Sequence, residues 1–483
     1  MTSNRFYGYN DDFGQSIPVD YVTTFRRYHN NSLANIPTIE RHSGISDRFL
    51  SAFFNAAYTY DRKYILSASA RKDQSNLFGV ETNQRGVPLW SVGAGWVISE
   101  ESFYNFGWLP YLKFRSTYGY NGNAVKSISA LTTAVYFIQN TTLNPNLPYA
   151  AITNPPNPDL RWERIKILNL GLDFESKNGR FSGYFEVYNK QGLDLIGDRI
   201  VPGSSGMTNF RGNFADTRSR GIDLLLSTKV IDRKLSWVNS LIFSHINEKV
   251  TSYGVDTPPR QALSDGFVPP VPGKPLFAVF SLPSAGLDPV NGDPRGFVDG
   301  EPSSNYGLVF DQLTFENINY HGSSRPTFYG ALRNDLSWKN LSLSVNVSYR
   351  MGYYYRRNSI AYGQLFSGRI SHEDYSNRWQ NPGDENTTYI PSLPQFNNFN
   401  RNEFFRFSEH LVERADHIRL QDIRLSYNFF RSQIPRLPFR SVELYGYVNN
   451  IGILWKSSNE RIDPDFQDMR PLRTYSMGLR IQF

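Results

Sequence analysis

The last strand-like segment constrains this chain more than any other. Tyr475, Met477, Leu479, Ile481 and Phe483 fall on one parity, and Thr474, Ser476, Gly478, Arg480 and Gln482 on the other. A strand sends successive side chains to opposite faces, so one face here is wholly apolar and ends in an aromatic residue. Soluble antiparallel strands alternate as well, but they seldom make a free terminal Phe the end of the apolar face. Transmembrane barrel strands alternate lipid-facing apolar and lumen-facing polar residues over about ten positions. The segment therefore points to an outer membrane.

Composition supports this by exclusion. The mean hydropathy is −0.47, and no run approaches the ~18 apolar residues a spanning helix needs, which excludes a helical membrane protein. Thirty Tyr and 35 Phe suit strands and interfacial girdles better than a helical core. With no Cys, disulfides, thiolate chemistry and cysteine metal sites are impossible. The net charge of +7 arises from 51 basic and 44 acidic residues scattered along the sequence, so no nucleic-acid partner is expected. The N-terminus has no basic then apolar leader pattern, so a signal is expected to have been cleaved or to lie upstream.

Period-two patterning predicts thirteen strands, over 48–60, 63–73, 89–99, 110–120, 164–175, 180–190, 217–230, 234–248, 326–338, 341–354, 417–429, 440–450 and 472–483. In the tenth, Leu341, Leu343, Val345, Val347, Tyr349 and Met351 oppose Ser342, Ser344, Asn346, Ser348 and Arg350. The eleventh changes phase between Leu420 and Ile423, which predicts a β-bulge near Gln421 and Asp422.

The connections alternate in length. Odd-to-even connections are short: Asp61 and Arg62, the stretch 100–109, Asn178 and Gly179, the vicinity of Asp232, Lys339 and Asn340, and a segment with Pro435 and Pro438. Even-to-odd connections are long, as at 121–163, 191–216, 249–325 and 355–416. Outer-membrane barrels combine short periplasmic turns with long extracellular loops. The fold class is thus expected to be all-β, a transmembrane antiparallel barrel with a periplasmic C-terminus. Residues 1–47 then form an extracellular loop segment, and 48–483 the C-terminal portion of a barrel. Thirteen strands are odd and bacterial barrels are even, so an odd number is expected to precede residue 1.

Several stretches, in order, resemble the SusC/RagA family of TonB-dependent outer-membrane transporters. They are Tyr60 to Tyr64 with ILSASARKD, WSVGAGWVISEESF (90–103), LKFRSTYGYNGN (112–123), NPDLRWE (157–163), NLGLDF (169–174), FEVYNKQGLDLI (185–196), RGIDLLLS (220–227), GLDPVNGDP (286–294) and HIRLQDIRLSYNF (417–429). The resemblance implies a barrel of about 22 strands whose first nine, with the plug and the TonB-contacting segment, lie outside this chain. It further implies import of glycans or peptides, a SusD-like surface lipoprotein docked on the loops after the fourth, eighth and tenth strands, and TonB acting through the plug. Phe483 and its strand would mark the end by which such barrels are recognised during assembly. The competing reading is a structural or assembly barrel without coupled import.

No catalytic constellation is present, and no cofactor is expected. Seven His are dispersed without metal-ligand spacing. Asp288, Asn291 and Asp293 are the weak candidates for a Ca²⁺ site, against a plain turn built on Asp-Pro and Asn-Gly. Tyr353, Tyr354 and Tyr355, where the tenth strand enters a long loop, and Phe366 suit either sugar or peptide contact or an aromatic girdle. Phe137, Tyr149 and Tyr306 have the same standing, whereas Tyr58, Tyr60, Tyr64, Trp237 and Trp338 suit a girdle. Arg71, Lys113, Arg115, Glu186, Arg333, Arg350 and Arg424 are expected to line the interior, either against a plug and neighbouring charges or guiding substrate.

Overall fold

The computed structural model describes residues 2–4, 9–10, 16–17, 24–26, 31–35, 43–45, 48–75, 86–123, 131–140, 145–201, 204, 209–264, 268–368, 372–436 and 438–483. Two compact units emerge. The smaller comprises Met1–Ala52, Lys72–Pro88 and Ala124–Arg161. It contains short antiparallel pairs, among them Thr2–Asn4 with Ser43–Ile45 and Thr133–Asn140 with Pro145–Asn154.

The larger unit is dominated by a thirteen-stranded sheet in which each strand neighbours the next in sequence. Its strands are β1 Phe49–Tyr60, β2 Tyr64–Ser75, β3 Gly86–Val97, β4 Tyr111–Asn123, β5 Glu163–Glu175, β6 Phe181–Ile200 and β7 Asn209–Asp232. They continue as β8 Leu235–Tyr253, β9 Phe328–Trp338, β10 Leu341–Met351, β11 His417–Phe430, β12 Ser441–Lys456 and β13 Thr474–Gln482. All thirteen sequence-predicted strands are present, in that order.

Register shows how the alternation sorts the faces. From β4 to β12 one row of directly opposed residues reads Phe114, Leu172, Phe185, Leu224, Phe243, Gly330, Tyr349, Ile418, Trp455. The next row reads Arg115, Gly171, Glu186, Asp223, Ser244, Tyr329, Arg350, His417, Lys456. A one-residue step thus changes an apolar belt into a polar one across nine strands. The apolar residues are left in the open, as Phe54, Leu168 and Leu425 illustrate, which suits hydrocarbon as solvent.

Tight turns follow from backbone that tolerates left-handed φ. Asp61 and Arg62 have φ of 48° and 56°, and Asn178 and Gly179 have 64° and 59°, the pairing a type I′ hairpin demands. The bulge falls on Gln421: Asn346 opposes Asp422 while Val347 opposes Leu420, so Gln421 has no opposite number. The same slip appears against β12.

Two expectations about the long connections need correction. Residues 191–216 were expected to form a loop, but β6 and β7 run on to 20 and 24 residues, well beyond the ~9–11 that cross the hydrocarbon. Cross-strand pairs such as Asp198 with Arg211, at 2.6 Å, continue the ladder outward. The stretches 249–325 and 355–416 are also not irregular loops. They contain helices, short strands and the main buried core of the larger unit.

Candidate functional site

The segments 254–327 and 352–416 fold as one body at the long-connection end of the sheet. Phe280, Leu282, Tyr306 and Phe310 from the first bury against Phe404 and Phe407 from the second. Backbone stitches join them where Leu282 N–H donates to Phe407 O (2.8 Å) and Glu409 N–H donates to Leu282 O (2.9 Å). The Glu409 carboxylate accepts from Ser284 N–H and from Asn319 Nδ2, both at 2.8 Å. The helices Tyr306–Asp311 and Phe399–Arg406 start at Asn305 and Asn398, whose side chains accept from the N–H groups of Leu308 and Arg401.

Charged residues in this body are neutralised. Arg401 is buried and donates to Asp293 Oδ1 at 2.6 Å and to Ser392 O at 2.8 Å. Arg357 is buried between Asp374 (2.8 Å) and Glu460 (3.3 Å). Burial opposes its charge, but the Asp374 hydrogen bond outweighs this and holds its pKa above the ordinary value.

The β12–β13 connection, 457–473, is hooked into the same end by its acids. Asp463 meets Arg419 at 2.7 Å, and Asp465 meets Arg350 at 2.8 Å and His417 at 3.3 Å. The Tyr353 hydroxyl donates to Asp465 Oδ1 at 2.8 Å. Burial opposes ionisation of Asp465, yet the hydrogen bonds from His417 and Tyr353 keep it well below the usual carboxylate range. Burial and the Asp465 charge push the Tyr353 hydroxyl far above its ordinary pKa.

Between these parts lies a cavity of about 790 Å³ lined by Leu195, Phe277, Tyr354, Arg356, Asp465 and Asp468, among others. That size suits a small ligand, and an aromatic wall with a few fixed charges orients one.

Of the sequence-predicted site residues, Tyr353, Tyr354 and Tyr355 all line this cavity and Phe366 does not. Tyr353 and Tyr355 are buried and pack around Ala415. Tyr354 is half-buried, 6.0 Å from the His321 ring. Phe366 ends the helix Tyr362–Phe366 and is exposed, away from the cavity lining. Tyr306 belongs to the shared core, while the side chains of Phe137 and Tyr149 lie outside the described residues. In the turn 286–294, Asp288 Oδ1 accepts from Val290 N–H, Asn291 Oδ1 accepts from Asp293 N–H, and Asp293 pairs with Arg401. Among the described residues no cluster of three or more His, Asp or Glu is placed to hold a metal.

Of the interior charges, Arg115 meets both Asp173 (2.8 Å) and Glu186 (2.6 Å), and Arg424 meets Glu443 at 2.6 Å. Arg333 pairs with Asp335 at 3.0 Å. Lys113 shares the Arg115 face, and Arg71 lies in β2. The terminal strand places Tyr475, Met477, Leu479 and Ile481 on one face, opposite Val448, Gly446, Leu444 and Val442. Phe483 follows it, exposed, its ring 5.2 Å from that of Phe439. Sequence reasoning missed Asp463 and Asp465. The acids of DPDF sit two apart, a spacing that would have marked them as a hook only with their basic partners already placed.

Comparison with known proteins agrees with this geometry. The family model described as TonB dependent receptor-like, beta-barrel, matches residues 1–276. TonB-dependent receptor P26 of Formosa agariphila is 25% identical over 444 residues, covering 86% of this chain and 42% of that protein. TonB-dependent receptor SusC of Bacteroides thetaiotaomicron is 25% identical over 195 residues, covering 39% of this chain and 19% of that protein. The RagAB peptide transporter superposes with a TM-score of 0.74 at 21% identity, covering 95% of this chain and 50% of that one, and shares its fold. The chain thus spans half or less of the length of these relatives. An ordered strand set, a two-faced register and a family match over more than half of its residues place the chain in the TonB-dependent receptor-like β-barrel family.

Proposed function

We propose that the chain supplies the C-terminal thirteen strands of a SusC/RagA-type outer-membrane importer, with the short turns and the C-terminus on the periplasmic side. The observation that carries this reading is the division of labour between the two ends of the sheet. One end has only short connections, while the other has a folded loop body with a fused core and a cavity. Such a body gives a stable surface for a SusD-like lipoprotein and a wall for a captured glycan or peptide. Tyr353, Tyr354 and Tyr355 are the aromatic candidates for ligand contact within the cavity, and Phe366 a candidate at the loop surface. Tyr353 and Tyr355, packed around Ala415, also hold the loop base.

Strands preceding this chain, a plug and a TonB-contacting segment would complete the machine, and the energised step would pass through them. The free edge of β13 would pair with the first strand of the whole barrel, and Phe483 would serve assembly. In support stand the names of SusC and of the RagAB peptide transporter. Purification from the outer membrane in detergent, with mass spectrometry of co-purifying chains and bound ligand, tests the proposal. A SusD-like lipoprotein and an oligosaccharide or oligopeptide are expected. A protein that extracts in buffer without detergent, or that retains no lipoprotein, overturns it.

A further inference from the structure

The six short connections share one end of the sheet and carry an unusual charge. Arg62 and Lys63 lie between β1 and β2, Lys177 and Arg180 between β5 and β6, and Arg233 and Lys234 between β7 and β8. Lys339 follows β9, and Arg431, Arg436 and Arg440 follow β11. Against these ten cations stand only Asp61, Glu100 and Glu101. The connections therefore carry +7, which is the net charge of the whole chain, so strands and long connections together sum to zero.

These cations are also unspent. Lys63 is half-buried and paired with Asp61 and Glu101. The other nine are exposed, and among the described residues they form no ion pair. At the opposite end Arg350, Arg357, Arg401 and Arg419 all have carboxylate partners. Backbone bonds anchor these connections: Lys177 N–H donates to Trp108 O of the neighbouring turn, Lys229 N–H of β7 to Arg180 O, and Arg440 N–H to Gln482 O of β13, at 2.8 to 2.9 Å. The charges thus form a rim along one edge of the sheet.

Exposed aromatic residues accompany this rim. Tyr58, Tyr60 and Tyr64 flank the first turn, Phe103, Phe106 and Trp108 occupy the second, and Trp338 lies under the Lys339 ammonium at 4.9 Å from its centroid. Amphipathic rings settle at the headgroup level of a bilayer, and basic residues are attracted to an anionic leaflet. A phosphate-bearing lipid satisfies rings and cations together, whereas an acidic polypeptide satisfies the cations alone.

We propose that the short-turn rim binds the phosphate headgroups of anionic phospholipids in the leaflet it meets. This rests on the membrane-spanning reading above. The test is native mass spectrometry of the detergent-purified protein titrated with phosphatidylglycerol or phosphatidylcholine. Wild type is expected to retain phosphatidylglycerol about tenfold better, a preference lost at high salt. The combined variant Arg233→Gln, Lys234→Gln, Lys339→Gln, Arg431→Gln, Arg436→Gln and Arg440→Gln should lose the preference while keeping its strand content by circular dichroism. The combined variant Lys249→Gln, Arg406→Gln and Arg461→Gln, at the other end, should keep it.

Equal retention of the two lipids by wild type overturns the proposal, as does a preference that survives in the rim variant. Retention of polyglutamate but not of phosphatidylglycerol overturns it in favour of an acidic polypeptide. A protein that needs detergent yet shows no lipid preference sinks the rim alone. One that remains soluble without detergent sinks the membrane reading with it.

Discussion

Arg419 of β11 and Asp463 of the β12–β13 connection meet at 2.7 Å with both side chains almost wholly withdrawn from water, 7% and 3% exposed. Removing Asp463 leaves the buried Arg419 only the more distant Asp465 carboxylate, 3.8 Å away, so the loss falls at or below the roughly 3–5 kcal/mol of breaking a buried pair. Asp463→Ala should therefore free the 457–473 connection, seen as new proteolytic cuts there. Cuts confined to the 254–327 segment would show that the hook does not hold its own connection.

Tyr353 and Phe366 should respond differently to truncation. Tyr353→Phe loses the hydrogen bond to the ionised Asp465, worth about 1.5–3 kcal/mol, and should lower the melting temperature with little change in ligand retention. Phe366→Ala removes an exposed ring and should leave melting unchanged while lowering ligand retention. Isothermal titration with the co-purified ligand, beside a thermal melt, separates the two outcomes.

Three tyrosines lie across glycines on the neighbouring strand: Tyr188 opposes Gly221, Tyr349 opposes Gly330 and Tyr445 opposes Gly478. A Cβ on Gly221 or Gly478 would come within 2.3 Å of the tyrosine ring. Gly221→Ala and Gly478→Ala should each cost about 1–3 kcal/mol by overpacking. Tyr445→Ala should restore much of the loss in the Gly478 variant, where the nearest atoms all belong to that ring, and less is regained by Tyr188→Ala because the His245 carbonyl also crowds Gly221. The temperature at which the folded band disappears in a gel-shift assay measures both.

Acid should loosen the loop body in two steps. Burial lowers the pKa of His321 and of His410 below the ordinary 6.5. Their contribution is complete above 6.5 and falls away as the pH drops through the depressed values, because the unfolded chain takes up protons first. Asp465, also depressed, loses its contribution only below its ordinary value of about 3.9. Protease resistance of 254–327 should thus weaken from about pH 6.5 downward, and His321→Gln with His410→Gln should flatten that first step.

Calcium should be irrelevant to the turn 286–294. Its side-chain oxygens already accept from backbone N–H groups or face Arg401. Chelation by EDTA should leave the melting curve unmoved, whereas Arg401→Ala should lower it. A calcium-dependent rise in melting temperature would reinstate a cation site.

The strands were legible because their signal is local: parity depends on neighbours two apart, and left-handed turn residues sit between the runs. The shift between Leu420 and Ile423 even located the bulge at Gln421. The outward run of β6 and β7 was hidden because Gly192, Gly197 and Gly212 look like loop residues while their ladder partners lie well beyond any local pattern, Gly192 opposing Thr217 and Gly197 opposing Gly212. The loop body was hidden for a stronger reason. Phe280 and Phe404 meet across more than a hundred residues of sequence, and no period encodes that distance. Charge placement behaved the same way: the basic residues look scattered in order and gather only once the turns share an edge.

The fused core also bears on how this protein can diversify. Phe280 and Leu282 come from one long connection, and Phe404 and Phe407 from the other, so this shared part of the core needs both connections. A chimera that exchanges 254–327 without 352–416 inherits half a core and should misfold, whereas the two exchanged together can travel as a cassette. New specificity in such a barrel would then arise by paired inheritance of distant segments, leaving the strands between them unchanged.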